Sequence, residues 1–299
     1  MNTKRKRTLV ILNPVSGTRD ADEVRRYIEH SLEAAGWDYD IVETKPDIDI
    51  TTLTREASPE AYDLVVAVGG DGTVAGVAST LVHTNKLLGI VPAGTGNALA
   101  YDLGIPLDPQ QAAALLTGPH GATDLNVLEV GDAHYLLNVS AGISGATMSS
   151  TERSAKQNYG RLAYVVDTLK QLGEAQPIDF TIEVDGETLK TRATEVAVIK
   201  NGLINAEMLA TEESSSASKD DVIVVVVQAD SVPEYISTVW DVLSKRTDES
   251  PRIITMPVRD SVTIRPHTDV PIQADGEPLD LREVTVRVIP DAIRVIIPT

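Results

Sequence analysis

The sequence predicts an α/β domain followed by a mostly antiparallel β domain, and three observations carry that prediction. Early in the chain, short apolar runs alternate with segments of helical periodicity, the rhythm of a parallel sheet covered by helices. From Leu125 on, short strand-like runs follow one another through tight turns, as in an antiparallel sandwich or barrel-like domain. Glycine-rich turns stand where early strands pass directly into helices.

Taken in order, Thr8–Leu12 is a short strand that meets the turn-rich Asn13-Pro14-Val15-Ser16-Gly17. Ala21–Ala35 has helical periodicity through Val24, Tyr27, Ile28 and Leu32, and closes at Gly36. Asp40–Val42 reads as a second strand. Leu64–Val68 is apolar without a break, as a buried strand is, and runs into Gly69-Gly70-Asp71-Gly72-Thr73. A helix over Val74–Val82, a strand over Leu87–Val91, the turn Pro92-Ala93-Gly94-Thr95-Gly96-Asn97 and a helix over Ala98–Leu103 follow. Later strands are expected at Leu125–Val130, Tyr135–Val139, Phe180–Val184, Val196–Lys200, Val222–Val227, Arg252–Pro257, Ser261–Arg265 and Glu283–Val288. Gly131-Asp132 and Asp185-Gly186 are hairpin turns. One helix, Arg161–Leu172, interrupts them, and Glu212–Ser218 is a polar loop.

Composition narrows the function classes. The 299 residues carry 26 Lys plus Arg against 44 Asp plus Glu, a net charge of −18. Non-specific nucleic-acid binding needs clustered cations, so no nucleic-acid partner is expected. The acidity fits ordinary solubility or a high-salt habitat. With no cysteine, disulfides, a thiolate nucleophile and Cys-ligated metals are excluded. The longest aliphatic run, Val222–Val227, is far short of the roughly 18 residues of a spanning helix. No apolar h-region follows the basic Met1–Arg7, so the expected location is cytoplasmic. Lys4–Arg7 offers one dense basic cluster for contact with anionic lipid.

The glycine turns carry the chemistry. Where a strand ends and a helix begins, main-chain N–H groups point outward unpaired, and the helix dipole favours an anion there. Gly69, Gly70 and Gly72 at one turn, and Gly94 and Gly96 at another, let the backbone approach phosphate oxygens. Thr73 and Thr95 each offer a hydroxyl. A Walker A sequence and the protein-kinase His-Arg-Asp set are absent. Asp71 inside a phosphate loop makes sense beside a metal-bound nucleotide.

Together, Gly69-Gly70-Asp71-Gly72-Thr73, Pro92-x-Gly94-Thr95-x-Asn97 and Asn13-Pro14-x-Ser16-Gly17 resemble the bacterial diacylglycerol kinase/YegS-like lipid kinase family. Leu103-Gly104-Ile105-Pro106, Asp124-Leu125 and Leu137-Asn138-Val139 through Gly160-Arg161-Leu162 follow the same pattern. The resemblance implies an NAD kinase-like α/β domain over 1–125, completed by about 281–299, and a C-terminal β-sandwich over 126–280. It implies ATP at the glycine turns, held by Asn13, Pro14, Ser16, Gly17, Thr44, Gly69–Thr73, Gly94, Thr95 and Asn97. The acceptor alcohol, a lipid with a free hydroxyl, enters between the domains. Transient contact with a membrane surface goes with such a substrate, and a homodimer is left open.

Phosphoryl transfer to an alcohol needs Mg²⁺ to offset charge and a carboxylate to take the proton. Asp275-Gly276-Glu277 and Asp185-Gly186-Glu187 both offer paired carboxylates, and both also read as plain hairpin turns. The resemblance selects the second copy in the chain, with Glu277 as proton acceptor and Asp275 organising water and Mg²⁺. It places Asp124 in an Asp–water–Mg²⁺ network and a structural Mg²⁺ on Asp220, with main-chain oxygens of Ala217 and Val222. Asp221 replaces the family's usual glycine, and Asn201-Gly202 continues without the usual glycine pair. Two alternatives stay open: a nucleotide-binding regulatory module without lipid transfer, and a kinase of NAD or another soluble alcohol.

Overall fold

The computed structural model describes residues 5–17, 19–46, 48–143, 176–200, 221–231, 233–235, 237–238 and 252–299. The expected helix over Arg161–Leu172 and loop over Glu212–Ser218 lie outside them. The chain forms two compact units, Met1–Val127 with Pro290–Thr299, and Leu128–Ile289.

The first unit is α/β. It runs β1 (Arg7–Leu12), α1 (Ala21–Ala34), β2 (Asp38–Glu43), α2 (Ile50–Glu56), β3 (Leu64–Gly69), α3 (Asp71–Ser79), β4 (Leu87–Pro92), α4 (Ala98–Asp102), α5 (Pro109–Thr117) and the first part of β5 (Gly121–Val130). The parallel strand order is β2-β1-β3-β4. β3 is buried at every residue, because helices cover both faces of a parallel sheet and alternation has no purpose there. β2 is the edge strand, and its alternating exposure reflects that. Helix α1 turns Val24, Ile28 and Leu32 inward, and Asp20 caps it by accepting the Asp22 N–H at 2.9 Å. The chain leaves α1 through Gly36 at φ +69°, a left-handed exit glycine adopts without strain.

Helices α2 and α5 were not legible in the periodicity. α2 is short and buries Thr54 alone. α5 buries small residues, Ala112 and Ala113, beside Leu116. Its start does carry a signal: Asp108 accepts the Gln111 N–H at 3.1 Å and Pro109 follows in the first helical turn.

The second unit is a β-sandwich. After the end of β5 come β6 (Ala133–Tyr135), β7 (Asn138–Gly142), β8 (Ile178–Val184), β9 (Glu187–Ala193), β10 (Glu195–Lys200), β11 (Val222–Val227), β12 (Ile253–Val258), β13 (Ser261–Pro266), β14 (Ile272–Ala274) and β15 (Glu277–Leu279). The last strand, β16 (Val284–Ile297), pairs antiparallel with β13 through its first residues. Its final residues belong to the first unit, where Arg294 and Val295 pair parallel with β4. One sheet of the sandwich has the order β12-β11-β10-β7-β14-β15. Its Val139, Val198 and Val224 share a core with Phe180, Ile182, Val262 and Val286 of the β8–β13–β16 side. Alternate residues Ile223, Val225 and Val227 enter a second cluster on the opposite face. β11 is therefore buried on both sides, which is why it reads as six aliphatic residues without a break.

The basic N-terminal residues have partners on the β2 edge. Arg5 pairs with Asp38 at 3.4 Å and Arg7 with Asp40 at 3.5 Å. Lys6 lies 4.5 Å over the Trp37 ring and Arg7 4.8 Å over Tyr62. Lys4 is outside the described residues. This edge is thus a mixed-charge surface rather than a bare cationic patch. No described helix is long and apolar enough to cross a membrane.

Thr8 sits in β1 at 0% exposure, and its hydroxyl finds no hydrogen-bond partner among the described residues. An unsatisfied buried hydroxyl costs free energy that an isosteric methyl does not. Thr8→Val should stabilise the protein by about 1 kcal/mol, seen as a higher melting temperature. A lower one would show that the hydroxyl is bonded.

Candidate functional site

Three turns leave the carboxyl ends of the adjacent parallel strands β1, β3 and β4, the edge where open α/β sheets take ligands. The ladder continues just past each strand: Asn13 N–H donates to Val68 O at 2.9 Å and Ala93 N–H to Gly69 O at 2.9 Å. Thr44, buried at the end of β2, donates its N–H to Leu12 O at 2.8 Å.

The turns are fastened to one another. Asn13 donates through Nδ2 to Thr73 Oγ1 at 3.0 Å. A Cβ on Gly94 would stand 2.4 Å from Gly70 Cα, so two backbones touch where any side chain would part them. A Cβ on Gly17, at φ +69°, would stand 2.2 Å from Ala93 O. Gly69 is packed as tightly against the Thr73 side chain. Ser16 Oγ would lie 3.5 Å from a Gly70 Cβ, which places the first turn beside the second. Asn97 holds its own turn: at φ +53° it accepts the Gly94 N–H on Oδ1 at 3.0 Å and returns Nδ2 to Gly94 O at 2.8 Å. Thr95 is exposed at its tip, and Pro14 is half-buried in the first turn.

Two features decide what this cradle can hold. Helix α3 begins with Gly70 as its cap, so its first-turn N–H groups have no side-chain cap hydrogen bond. Gly72 has open space around it and no left-handed φ, so neither packing nor conformation requires a glycine there. Asp71 behaves otherwise than a nucleotide-side carboxylate: Oδ1 accepts the Ala98 N–H at 2.6 Å and the Leu99 N–H at 3.4 Å, capping α4.

The second unit holds the two Asp-Gly-Glu turns, and they are built alike. Asp185 and Gly186 have φ +50° and +90°; Asp275 and Gly276 have +47° and +88°. Both are hairpin turns of the kind that needs two left-handed residues. In each, the aspartate captures three successive main-chain N–H groups. Asp185 takes those of Arg259, Asp260 and Ser261 at 2.9, 2.9 and 3.0 Å. Asp275 takes Leu136, Leu137 and Asn138 at 2.7, 2.8 and 2.9 Å. These bonds explain why the strand expected over Tyr135–Val139 is broken: residues 136–137 turn their amides to Asp275. Glu277 follows, exposed, as the first residue of β15.

The surroundings separate the pair. At Asp185, burial would raise the pKa, but the three N–H groups and Arg259 hold it below its ordinary value of 3.8. At Asp275, burial prevails and pushes the pKa up, against the pull of its three N–H groups and the Lys200 charge. Lys200, 2% exposed at the end of β10, and Gln273, 4% exposed in β14, were not singled out by the sequence. Their only signal is local: Gln273 stands between Ile272 and Ala274, and Lys200 follows the aliphatic Val198-Ile199.

The metal assignments fare unevenly. Asp220 and Ala217 lie outside the described residues, Val222 is buried at the start of β11, and Asp124 is exposed on β5. Among the described residues no three acidic or imidazole groups converge on a metal position.

Comparison with known proteins gives this arrangement its family. Residues 7–128 match the diacylglycerol kinase catalytic domain. Residues 137–297 match the YegS C-terminal NAD kinase beta sandwich-like domain. The chain belongs to the diacylglycerol kinase/YegS-like lipid kinase family. A Stenotrophomonas maltophilia protein named "Probable lipid kinase YegS-like" is 28% identical over 319 residues, covering 97% of this chain and 95% of that one. The diacylglycerol kinase of Bacillus subtilis is 28% identical over 213 residues, 70% of each chain. A crystal structure of a Bacillus anthracis diacylglycerol kinase superposes with a TM-score of 0.72 at 21% identity, over 99% of this chain and 98% of that one, which establishes the shared fold.

The two turns should respond oppositely to acid. Asp185 has a lowered pKa, so its ionised form stabilises the fold above pH 3.8 and that contribution is lost as pH falls through the lowered value. Asp275 has a raised pKa, so ionising it weakens the fold as pH climbs above 3.8. In unfolding experiments across pH, the advantage of wild type over Asp185→Asn should grow as pH rises towards 3.8. Its advantage over Asp275→Asn should shrink as pH rises beyond that value. Slopes of the same sign would contradict these environments.

Proposed function

We infer that the protein is a lipid kinase that transfers the γ-phosphoryl group of ATP to a free lipid hydroxyl. What supports this most is the glycine cradle: three turns locked together at the carboxyl end of a parallel sheet, around a helix start with no side-chain cap. Its residues suit a nucleotide phosphate, because main-chain N–H groups and a helix dipole bind an anion without any basic side chain. Gly70, Gly72 and Thr73 would hold the phosphates, with Asn13, Pro14, Ser16, Gly17, Thr44, Gly94 and Thr95 around them. Asn97 and Asp71 would act one step back, Asn97 by closing the Gly94 turn and Asp71 by tying α4 to the start of α3.

Mg²⁺, when bound with the nucleotide, offsets the charge of the phosphates during transfer. Asp124 would belong to a water network around that Mg²⁺, whereas Asp220 and the main-chain oxygens of Ala217 and Val222 would hold a separate structural Mg²⁺. Glu277 would accept the proton of the attacking hydroxyl; it is exposed and follows a turn pinned by Asp275. A lipid acceptor also calls for transient contact with a membrane surface.

Labelled ATP offered with diacylglycerol and other hydroxyl lipids in mixed micelles should yield a phosphorylated lipid. Transfer to NAD and to no lipid would replace this function with that of a soluble-acceptor kinase. Glu277→Gln should lower kcat about 10²–10⁴-fold with ATP affinity retained, and an unchanged rate would remove Glu277 as the base.

Two glycine substitutions separate cradle from ligand. Gly72→Ala meets nothing in the protein, so stability should hold while ATP affinity falls about 10-fold, the effect of ~1.4 kcal/mol. Gly94→Ala forces Gly70 away and should lower stability as well as binding. Full ATP affinity in Gly72→Ala, measured by calorimetry, would place the phosphates elsewhere.

A further inference from the structure

The molecule contains its own control for the turn that carries Glu277. At the 185 copy, an Asp and a Gly in left-handed conformations, plus three captured N–H groups, make a complete hairpin. Asp185 also donates its own N–H to Ser261 O at 3.0 Å. Glu183, two residues before Asp185, is exposed and makes no hydrogen bond to Gly186 among the described residues. At the 275 copy the same device is present, and a second one is added. Gln273, also two residues before its aspartate, is buried, and its amide is used at both ends.

Gln273 Oε1 accepts the Gly276 N–H at 2.8 Å. Its Nε2 donates to Asn138 Oδ1 at 2.9 Å and Ser140 Oγ at 2.7 Å. Ser140 is its direct cross-strand neighbour, because β14 pairs antiparallel with β7 in the register Gln273↔Ser140. Asp275 also donates its own N–H to Asn138 O at 3.0 Å. Thus the turn is bolted to β7 twice: by the Asp275 carboxylate and main chain on one side, and by the Gln273 amide on the other. Burying a primary amide is costly unless all its donors and acceptors are met, and here they are. A hairpin of this type does not need that investment, as the 185 copy demonstrates.

We propose that Gln273 is a positioning residue that fixes the Asp275-Gly276 turn and thereby the direction in which Glu277 presents its carboxylate to the acceptor hydroxyl. The proposal rests on Glu277 as the base, and adds what holds it. Proton abstraction needs the base within hydrogen-bond reach of the hydroxyl, and small displacements at a reacting centre are costly in rate. The carboxylate of a residue following a two-residue turn swings with that turn, so an amide latch on Gly276 limits the swing.

Gln273→Met keeps the side-chain volume and removes the latch. It should lower kcat about 10- to 100-fold while leaving KM for ATP within about twofold. In the Glu277→Gln background it should lower kcat no further, because there is no base left to misplace. An equal loss in both backgrounds, or no loss in the wild-type background, overturns the proposal. Glu277→Gln alone judges the base, so the two failures stay distinct. Ser140→Ala, which deprives Nε2 of one acceptor, should give a smaller loss with the same cycle and serves if Gln273→Met does not fold. Amide exchange supplies a readout without activity. The Gly276 N–H should exchange at least about 10-fold faster in Gln273→Met, with the Gly186 N–H unchanged. An unaltered Gly276 rate overturns the latch whatever the kinetics.

Discussion

Gly70 and Gly94 meet through their backbones, and the architecture of the first unit's ligand edge depends on that contact. It draws the turn after β3 against the turn after β4. The Asp71 carboxylate can then reach the first N–H groups of α4, and the Asn97 side chain can close its own turn on Gly94. One consequence is electrostatic. The acidic group at the start of α3 is committed to α4, while the cap of α3 is a glycine. The start of α3 therefore has no side-chain cap of its own.

The same main-chain logic runs through both units with opposite results. In the sandwich, Asp185 and Asp275 each satisfy three successive N–H groups, and strands that would otherwise end in unpaired amides become hairpin supports. In the α/β unit, the first-turn N–H groups of α3 have no side-chain cap. A chain of net charge −18 can on this basis bind a polyphosphate, since short-range N–H groups act where the overall field is unfavourable. The N-terminal cations do not change that balance: Arg5 and Arg7 are paired with Asp38 and Asp40, and exposed pairs of this kind contribute little energy.

The α/β alternation and the glycine turns were legible because both are local: a buried parallel strand is apolar throughout, and a strand-to-helix turn needs glycine where backbones touch. Helices α2 and α5 were not, since one buries a single threonine and the other mostly alanines, too little apolar contrast to show a period. Strands β14 and β15 are three residues each, below the length at which alternation can be seen. The roles of Asp71, Lys200 and Gln273 were hidden for a different reason. Each depends on a partner remote in sequence: α4 for Asp71, Asp275 for Lys200, and β7 for Gln273. The two Asp-Gly-Glu tripeptides are identical as text and nearly identical as turns. Only burial and the surrounding amides tell them apart.

The central claim is that the N–H groups at the start of α3 receive the phosphates of a nucleotide. Amide resonances of the full-length protein, followed while ATP and Mg²⁺ are added, test it most directly. The resonances of Gly70, Gly72 and Thr73 should shift together and saturate with the affinity measured for ATP. Saturable ATP binding with those three amides unmoved would contradict it.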